Sequence, residues 1–536
     1  MHPRFALFLL AAVFSTGAYA ASATSGKGSD PVNRAVEAMG GESALGQLKT
    51  VAIRGSNVVY EIESSLTPGK EAESRQGSES KFLIQRDLTS GAARLDWERR
   101  VVRVPKPIIQ NYSEIMSDGV GYVSGIDSTT RTQFSATSNP PGHPMSGARA
   151  AVTLRELTRQ SPRLVLDMKA NPKAVKAVAA QSAGGKKLPA VQYDVRDWSF
   201  IVMFDPETGL PARVRTKDPD PIQGDSNYDL VLADWRPVGG AKVAHSLTYK
   251  LNDRDLVVTK YDQVTPNPAL AASLFEIPIV ARAIAVRAAI GNVPYQWMIR
   301  RGYWGNLLDS DEVAWDTGAM AEPTLVDIAR GVSVSQGPAQ NTVVVEMDKY
   351  LVVFDAPAHE RFSEWMIAAS KKRYPGKPVK YLIQSHHHWD HASGLRTYVA
   401  EGATVVVGKG SKEHYTRMFS APGTALNDRL SRSPRKANVV EVDGKYVIKD
   451  GKREVHAYLI ESEHSKATLL SYVPDVKLGF VVDIWSTTAP LPPKPTEGHR
   501  EVVTAVKKWG LTPEIFANGH GVPSTPYSVL AKFVGN

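Results

Sequence analysis

Two rhythms of apolar and polar positions divide this chain. From about residue 31 to residue 278 the prevailing period is two. Residues 51–62 set β-branched side chains between polar ones, 191–204 alternate more cleanly, and 228–232 do so briefly, as half-buried strands require. Asp205-Pro206-Glu207-Thr208-Gly209-Leu210-Pro211 reads as a turn between strands, with Gly209 supplying the permissive backbone. Asn252-Asp253-Arg254-Asp255 reads as another, between strands at 247–251 and 256–261. Ahead of them, 32–48 predicts two short helical turns interrupted by Gly40-Gly41. Strand, turn and strand again, with few helical windows, predict an antiparallel β domain over 31–278.

A mixed, basic linker follows at 279–310, and beyond it, over 311–536, strands alternate with helical stretches. Residues 343–347 and 350–354 predict a hairpin around Asp348-Lys349. A helix is expected at 362–372, a short buried strand at 381–383, a helix at 395–400 ending near Gly402, and a strand at 404–407. This is an α/β layer order, so the fold class is a two-domain α+β chain with a β-rich first half.

Composition narrows the function. Hydrophobic residues make up 42% and charged residues 22% of the 536, which excludes a largely disordered chain, and no short repeat points to a coiled coil or collagen. There is no cysteine, so disulfides, thiolate metal sites and a cysteine nucleophile are excluded. The net charge is +9, but the basic clusters Lys186-Lys187 and Lys371-Lys372-Arg373 lack interleaved aromatics. They read as solvated surface, with no nucleic-acid partner. Residues 1–20 read as a cleaved signal peptide: Arg4, the apolar run FALFLLAAVF, then Ala18-Tyr19-Ala20 before Ala21. A periplasmic or secreted bacterial protein is expected. No later stretch has the roughly 18 apolar residues of a membrane span. A homo-oligomer stays open.

The chemistry concentrates late in the chain. Ten of the 13 histidines fall between His359 and His520. Ser385-His386-His387-His388-Trp389-Asp390-His391 directly follows the strand at 381–383. In extended backbone His386 and His388 point the same way and can grip one metal. Asp390 and His391, near the start of the next helix, can face a second. Further donors follow strands or precede them: His464 in Glu461-Ser462-Glu463-His464-Ser465, Asp483 after Leu478-Gly479-Phe480-Val481-Val482, and His520 in Asn518-Gly519-His520-Gly521. Imidazole and carboxylate suit Zn²⁺.

This order (H-x-H-x-D-H, a lone His, Asp after an apolar strand, then Gly-His-Gly) resembles the metallo-β-lactamase superfamily over roughly 329–526. The resemblance implies an αβ/βα sandwich and two Zn²⁺ per chain. His386, His388 and His464 would hold one, Asp390, His391 and His520 the other, with Asp483 bridging. Asp355, after Leu351-Val352-Val353-Phe354, matches an acidic position of the family. Ser465-Lys466-Ala467 and Val482 depart from the family's usual neighbours but leave the ligand positions in place. The implied activity is hydrolysis: hydroxide made available near neutral pH attacks an ester, lactone, amide or β-lactam type bond of a small molecule. Asp390 would orient it and take its proton. A sulfatase or phosphodiesterase on the same metals, and a carrier or sensor with a non-catalytic site, are the competing readings. A flavodiiron oxidoreductase would need a flavin domain, of which the sequence carries no sign.

Substrate walls are expected from two segments of loop-like composition, 415–435 and 485–500, with Tyr415, Arg417 and Trp485 as substrate contacts and Arg429, Arg432 and Arg435 nearby. His359, His387, His414, His456 and His499 read as structural. The first domain resembles lipoprotein-carrier half-barrels through Gly41-Glu42-Ser43-Ala44-Leu45, the Thr208-Gly209-Leu210-Pro211 turn and Asn267-Pro268-Ala269-Leu270 before Phe275. That implies an apolar or amphipathic ligand, against which a structural or dimerisation role is preferred.

Overall fold

The computed structural model describes residues 29–71, 74–102, 107–127, 141–282, 322–336, 340–485 and 491–535. The signal-peptide expectation and most of the linker lie outside them. Among the described residues no helix is long and apolar enough to cross a membrane.

The period-two half forms a 13-stranded sheet whose neighbours all pair antiparallel. Its order follows the chain except at one seam. The first long strand, Thr50–Glu61, lies between Arg75–Asp87 and the last strand, Arg254–Pro266. Alternate positions of Thr50–Glu61 are buried, as its sequence rhythm predicts. The alternation at 191–204 is not one strand but two, Ala190–Val195 and Trp198–Phe204, paired as a hairpin. Arg196 takes a positive φ of 53° at the turn.

Helices Ser29–Ala38 and Gly41–Gln47, separated at Gly40, match the two predicted turns, and Gly147–Arg159 lies across the sheet. All three arginines of this last helix are buried and paired, Arg159 with Glu156 at 3.3 Å. Arg155 meets both oxygens of Asp218 at 2.9 Å, and Arg149 reaches Glu114 at 2.8 Å and Asp127 at 2.6 Å. Between helix and sheet lies a pocket lined by Phe82, Trp97, Arg99, Tyr112, Tyr249 and Tyr261 among others.

The second half is a four-layer sandwich of a seven-stranded and a six-stranded sheet. Its order follows from side-chain alternation. In Leu351–Phe354, Leu351 and Val353 join the core under helices Glu360–Arg373 and Leu395–Glu401, while Val352 and Phe354 join the core between the sheets. In the other sheet, Phe480 faces inward, and Val481 faces the core that holds Val502, Val503 and Val506 of helix Glu497–Lys508. The predicted hairpin forms between Val343–Glu346 and Leu351–Phe354. The antiparallel β-rich first domain and the αβ/βα sandwich are thus as expected.

Two segments of the first domain bind the second. Residues 62–71, after Thr50–Glu61, reach the sandwich: the Leu66 carbonyl accepts from the Lys466 N–H at 2.9 Å, and Ser65 lies against His387 and His388. The turn between Pro211–Asp220 and Gly224–Val238 inserts Ile222, 3% exposed, into the core under the sandwich helices. Beside it Asp225 accepts from the backbone of Thr424 and Ala425 at 3.2 and 2.9 Å, and its own N–H donates to the Pro422 carbonyl at 2.6 Å. Gly224 is required there: a Cβ would sit 2.3 Å from that carbonyl oxygen, and φ is +75°.

Candidate metal centre

Parallel pairing sets the site. Leu351–Phe354 and Val379–Ile383 run parallel with Phe354 opposite Ile383, and Leu478–Val481 and Ile515–Asn518 run parallel with Val481 opposite Asn518. Their carboxyl ends therefore open on one face, where α/β sheets place ligands. Asp355, the 384–391 segment, Asp483 and His520 all leave from these ends. His388 is the N-cap of the short helix Trp389–Ala392, which carries Asp390 and His391. Gln384 ties the segment into shape, its amide donating to the carbonyls of His386 and His391 at 2.8 and 3.0 Å. Gly519 lets the next strand end approach, because a Cβ would lie 2.4 Å from Val482 Cγ1. Asn341 holds that loop through the carbonyls of Asn518 and Gly521 at 2.8 and 3.1 Å.

All seven sequence-expected donors come together, in two overlapping groups. One is His386, His388, His464 and Asp483; the other is Asp390, His391, Asp483 and His520. In each group the donor atoms lie within 4.8 Å of one another. Asp483 belongs to both. Its Oδ2 lies 3.3 Å from His386 Nε2, 3.1 Å from His464 Nε2 and 3.4 Å from His391 Nε2, and its Oδ1 lies 2.9 Å from His520 Nε2. Ring nitrogens face one another, His386 Nε2 with His464 Nε2 at 3.2 Å and His391 Nε2 with His520 Nε2 at 3.1 Å. Imidazole lone pairs and carboxylates converging on a common point are the donor set of a borderline cation such as Zn²⁺. Residues and group fit.

The outer contacts fix the rings. Asp355, fully buried, accepts from the Ser385 N–H at 2.7 Å and the Ser385 hydroxyl at 2.9 Å. The hydroxyl therefore accepts from His386 Nδ1–H at 3.0 Å, leaving Nε2 free to ligate. Asp355 Oδ2 also lies 3.2 Å from His391 Nδ1. Both Asp355 and Asp483 hold positive φ, 62° and 63°, a conformation that costs on the order of 1–3 kcal/mol and gathers at functional sites.

The charges are tuned by these neighbours. Burial lowers His386 and His388, keeping their rings neutral. Burial alone would lower His391 too, but Asp390, Asp483 and Asp355 raise it well above the usual imidazole range. Burial would raise Asp483, but His391 and the contacts to His386 and His464 hold it well down.

The other expectations fare differently. His359 caps helix Glu360–Arg373, His499 shares a capping box with Thr496, and His456 bonds Glu454 and Tyr458, all structural roles as read. Tyr415 and Trp485 are corrections. Each is 1% exposed and packed in a core, Tyr415 on helix Lys412–Ser420 rather than a loop and Trp485 against Phe516. Large aromatics beside a core are drawn into it. Arg417 is half exposed and pairs with Glu71 at 3.3 Å. Arg429 and Arg432 pair with Glu401 and Glu360, so these guanidiniums already hold protein carboxylates.

A family model of the metallo-beta-lactamase superfamily matches residues 336–481, and this region carries a domain of that superfamily. Solved structures to which the chain is similar include a flavodiiron core from Synechocystis sp. (14% identity, 39% of this chain and 59% of that one, TM-score 0.32). Others are a stereoselective inverting sec-alkylsulfatase from Pseudomonas sp. (15%, 42% of each, 0.31) and a metallo-beta-lactamase from Pontibacter korlensis (14%, 40% and 97%, 0.31). The chain spans less than two thirds of the flavodiiron core it matches. No curated protein matches it.

Proposed function

We propose that the chain is an exported hydrolase that uses two Zn²⁺ ions to cleave an ester, lactone, amide or β-lactam type bond in a small molecule. The observation that supports this is the sharing of Asp483 between two nitrogen-and-oxygen donor groups. In this reading His386, His388 and His464 would hold one ion and Asp390, His391 and His520 the other, with Asp483 available to both. Bound zinc supplies Lewis acidity, which brings water's pKa towards neutrality and offsets charge developing on a substrate oxygen.

The protein's own groups do the rest. The rings of His386 and His391 are 1% and 0% exposed, whereas those of His464 and His520 are 27% and 23% exposed and the Asp390 carboxylate 22%. Substrate therefore approaches over Asp390, His464 and His520. Asp390 lies at that open side, 3.4 Å from His391 Nε2, where its carboxylate can orient the attacking water and take up its proton. Asp355 and Ser385 keep the buried rings in the tautomers ligation needs. The motivation for export is the pattern of residues 1–20, which mass analysis of the mature N-terminus tests.

The deciding experiment is metal analysis of the purified protein, then turnover of lactones, esters, thioesters, β-lactams, alkyl sulfates and phosphodiesters with and without chelator. Turnover removed by chelator and restored by zinc is expected, and His388→Ala should abolish it while the first domain stays folded. Undiminished turnover in that variant would refute the assignment.

A further inference from the structure

We propose that the first domain completes the metal centre: Ser65 is a positioning residue for His388, and Arg75 fixes the segment that carries His464. This rests on the metal reading above and assigns the first domain a part in it. Residues 62–71 lead from the strand Thr50–Glu61, inside the 13-stranded sheet, to the sandwich. Ser65, 1% exposed, places its carbonyl oxygen 3.1 Å from His388 Nε2. A carbonyl only accepts, so the ring proton sits on Nε2 and the lone pair on Nδ1 is left for an ion. His386 and His391 find their outer partners, Ser385 and Asp355, inside the sandwich. His388 finds this one 323 residues away in the other domain.

A second set of contacts holds the His464 side. The Ser65 hydroxyl donates to the Thr67 carbonyl at 2.9 Å, so it accepts from His387 Nε2–H at 3.3 Å. His387 Nδ1 then accepts from the Ser465 hydroxyl at 3.2 Å. His387, which sits among the donors in sequence without being one of them, thereby links the loop to the residue after His464. The Lys466 N–H donates to the Leu66 carbonyl at 2.9 Å. Arg75 Nη2 donates to the carbonyls of Glu463 and His464 at 3.0 and 3.1 Å. Two of the three imidazoles of one ion group thus owe their placement to the first domain, whereas none of these contacts touches Asp390, His391 or His520.

The test is titration of full-length, metal-stripped protein with Co²⁺, read by its visible absorption and by calorimetry. Glu61 and Arg75 are cross-strand partners, so Asn-Gly in place of residues 62–74 closes the strands as a two-residue hairpin. That variant should bind the first ion about 10–100-fold more weakly, the range for lost outer partners of metal ligands, with an altered Co²⁺ spectrum and the second ion unchanged. Arg75→Met should weaken the first ion several-fold. Ser65→Ala, which keeps the carbonyl on His388 but removes the hydroxyl that meets His387, should weaken the first ion less than the loop replacement does. If the shortened loop unfolds the first domain, as circular dichroism would show, Arg75→Met decides alone. Wild-type binding and spectrum of both ions in Arg75→Met, or in a folded loop variant, would overturn the proposal. A wild type that takes up no Co²⁺ would instead overturn the metal reading, and this proposal with it.

Discussion

Asp355→Asn is the sharpest single perturbation of the centre, because it changes charge and donor pattern with almost no change in shape. The carboxylate is fully buried and receives the Ser385 N–H at 2.7 Å and the Ser385 hydroxyl at 2.9 Å, with His391 Nδ1 3.2 Å away. An amide can still accept the backbone N–H through its oxygen. Its nitrogen, however, brings hydrogens to the side where the Ser385 hydroxyl donates and where His391 Nδ1 lies 3.2 Å away. Either His391 moves its proton to Nε2, which closes the nitrogen facing the ion, or donors face donors. A hydrogen bond to a charged group contributes about 1.5–3 kcal/mol. Outer partners of metal ligands typically change affinity about 10–100-fold, which is about 1.4–2.8 kcal/mol at one factor of ten per 1.4 kcal/mol. The ion held by Asp390, His391 and His520 should therefore weaken by that factor, with a smaller loss at the other through Ser385 and His386. Competition against a chromophoric zinc chelator measures both. Two zinc ions bound with wild-type affinity by the folded variant would refute the role given to Asp355.

Three further outcomes are expected. Ile222→Ala removes a first-domain side chain from the sandwich core, so it should cost about 2–5 kcal/mol and separate one calorimetric transition into two. Gly519→Ala places a methyl 2.4 Å from Val482 Cγ1. It should lower stability by about 1–3 kcal/mol in urea unfolding and loosen the metal bound through His520. His359 is held down to about 3 by burial, with Arg361 adding to the shift. Its contribution is present above the unfolded imidazole pKa of about 6.5 and is lost as pH falls from there towards 3. His359→Asn, which can still cap the helix, should therefore recover about 2 kcal/mol of the stability the wild type loses between pH 7 and pH 5 in denaturant titrations.

The donors were legible because strand ends carry them in a fixed order, and parallel pairing turns that order into proximity. Asp355 was legible for the same reason. Ser65 was not: its sequence neighbourhood carries no chemical signal, and its role exists only where two domains meet. The hairpin inside 191–204 was hidden by parity. A two-residue turn leaves the period-two rhythm intact on both sides, and Arg196-Asp197 has neither the glycine nor the asparagine that marks such turns. The helix Lys412–Ser420 did leave a trace, since Tyr415, Met418 and Phe419 are spaced for one face. The polar residues around them read as a loop.

The seam of the large sheet bears on how the chain comes together. Thr50–Glu61 pairs on one side with Arg254–Pro266, so Val59 meets Val257 across nearly the whole length of the domain. Hairpins on either side can form as soon as their residues exist, but the middle closes last, because distant pairings must first bear the cost of ordering the chain between them. Until then the two flanks are separate sheets, each with a bare edge of the kind that recruits other strands. A chain ended before Arg254 would keep both edges open, and its expected fate is aggregation rather than a smaller folded domain.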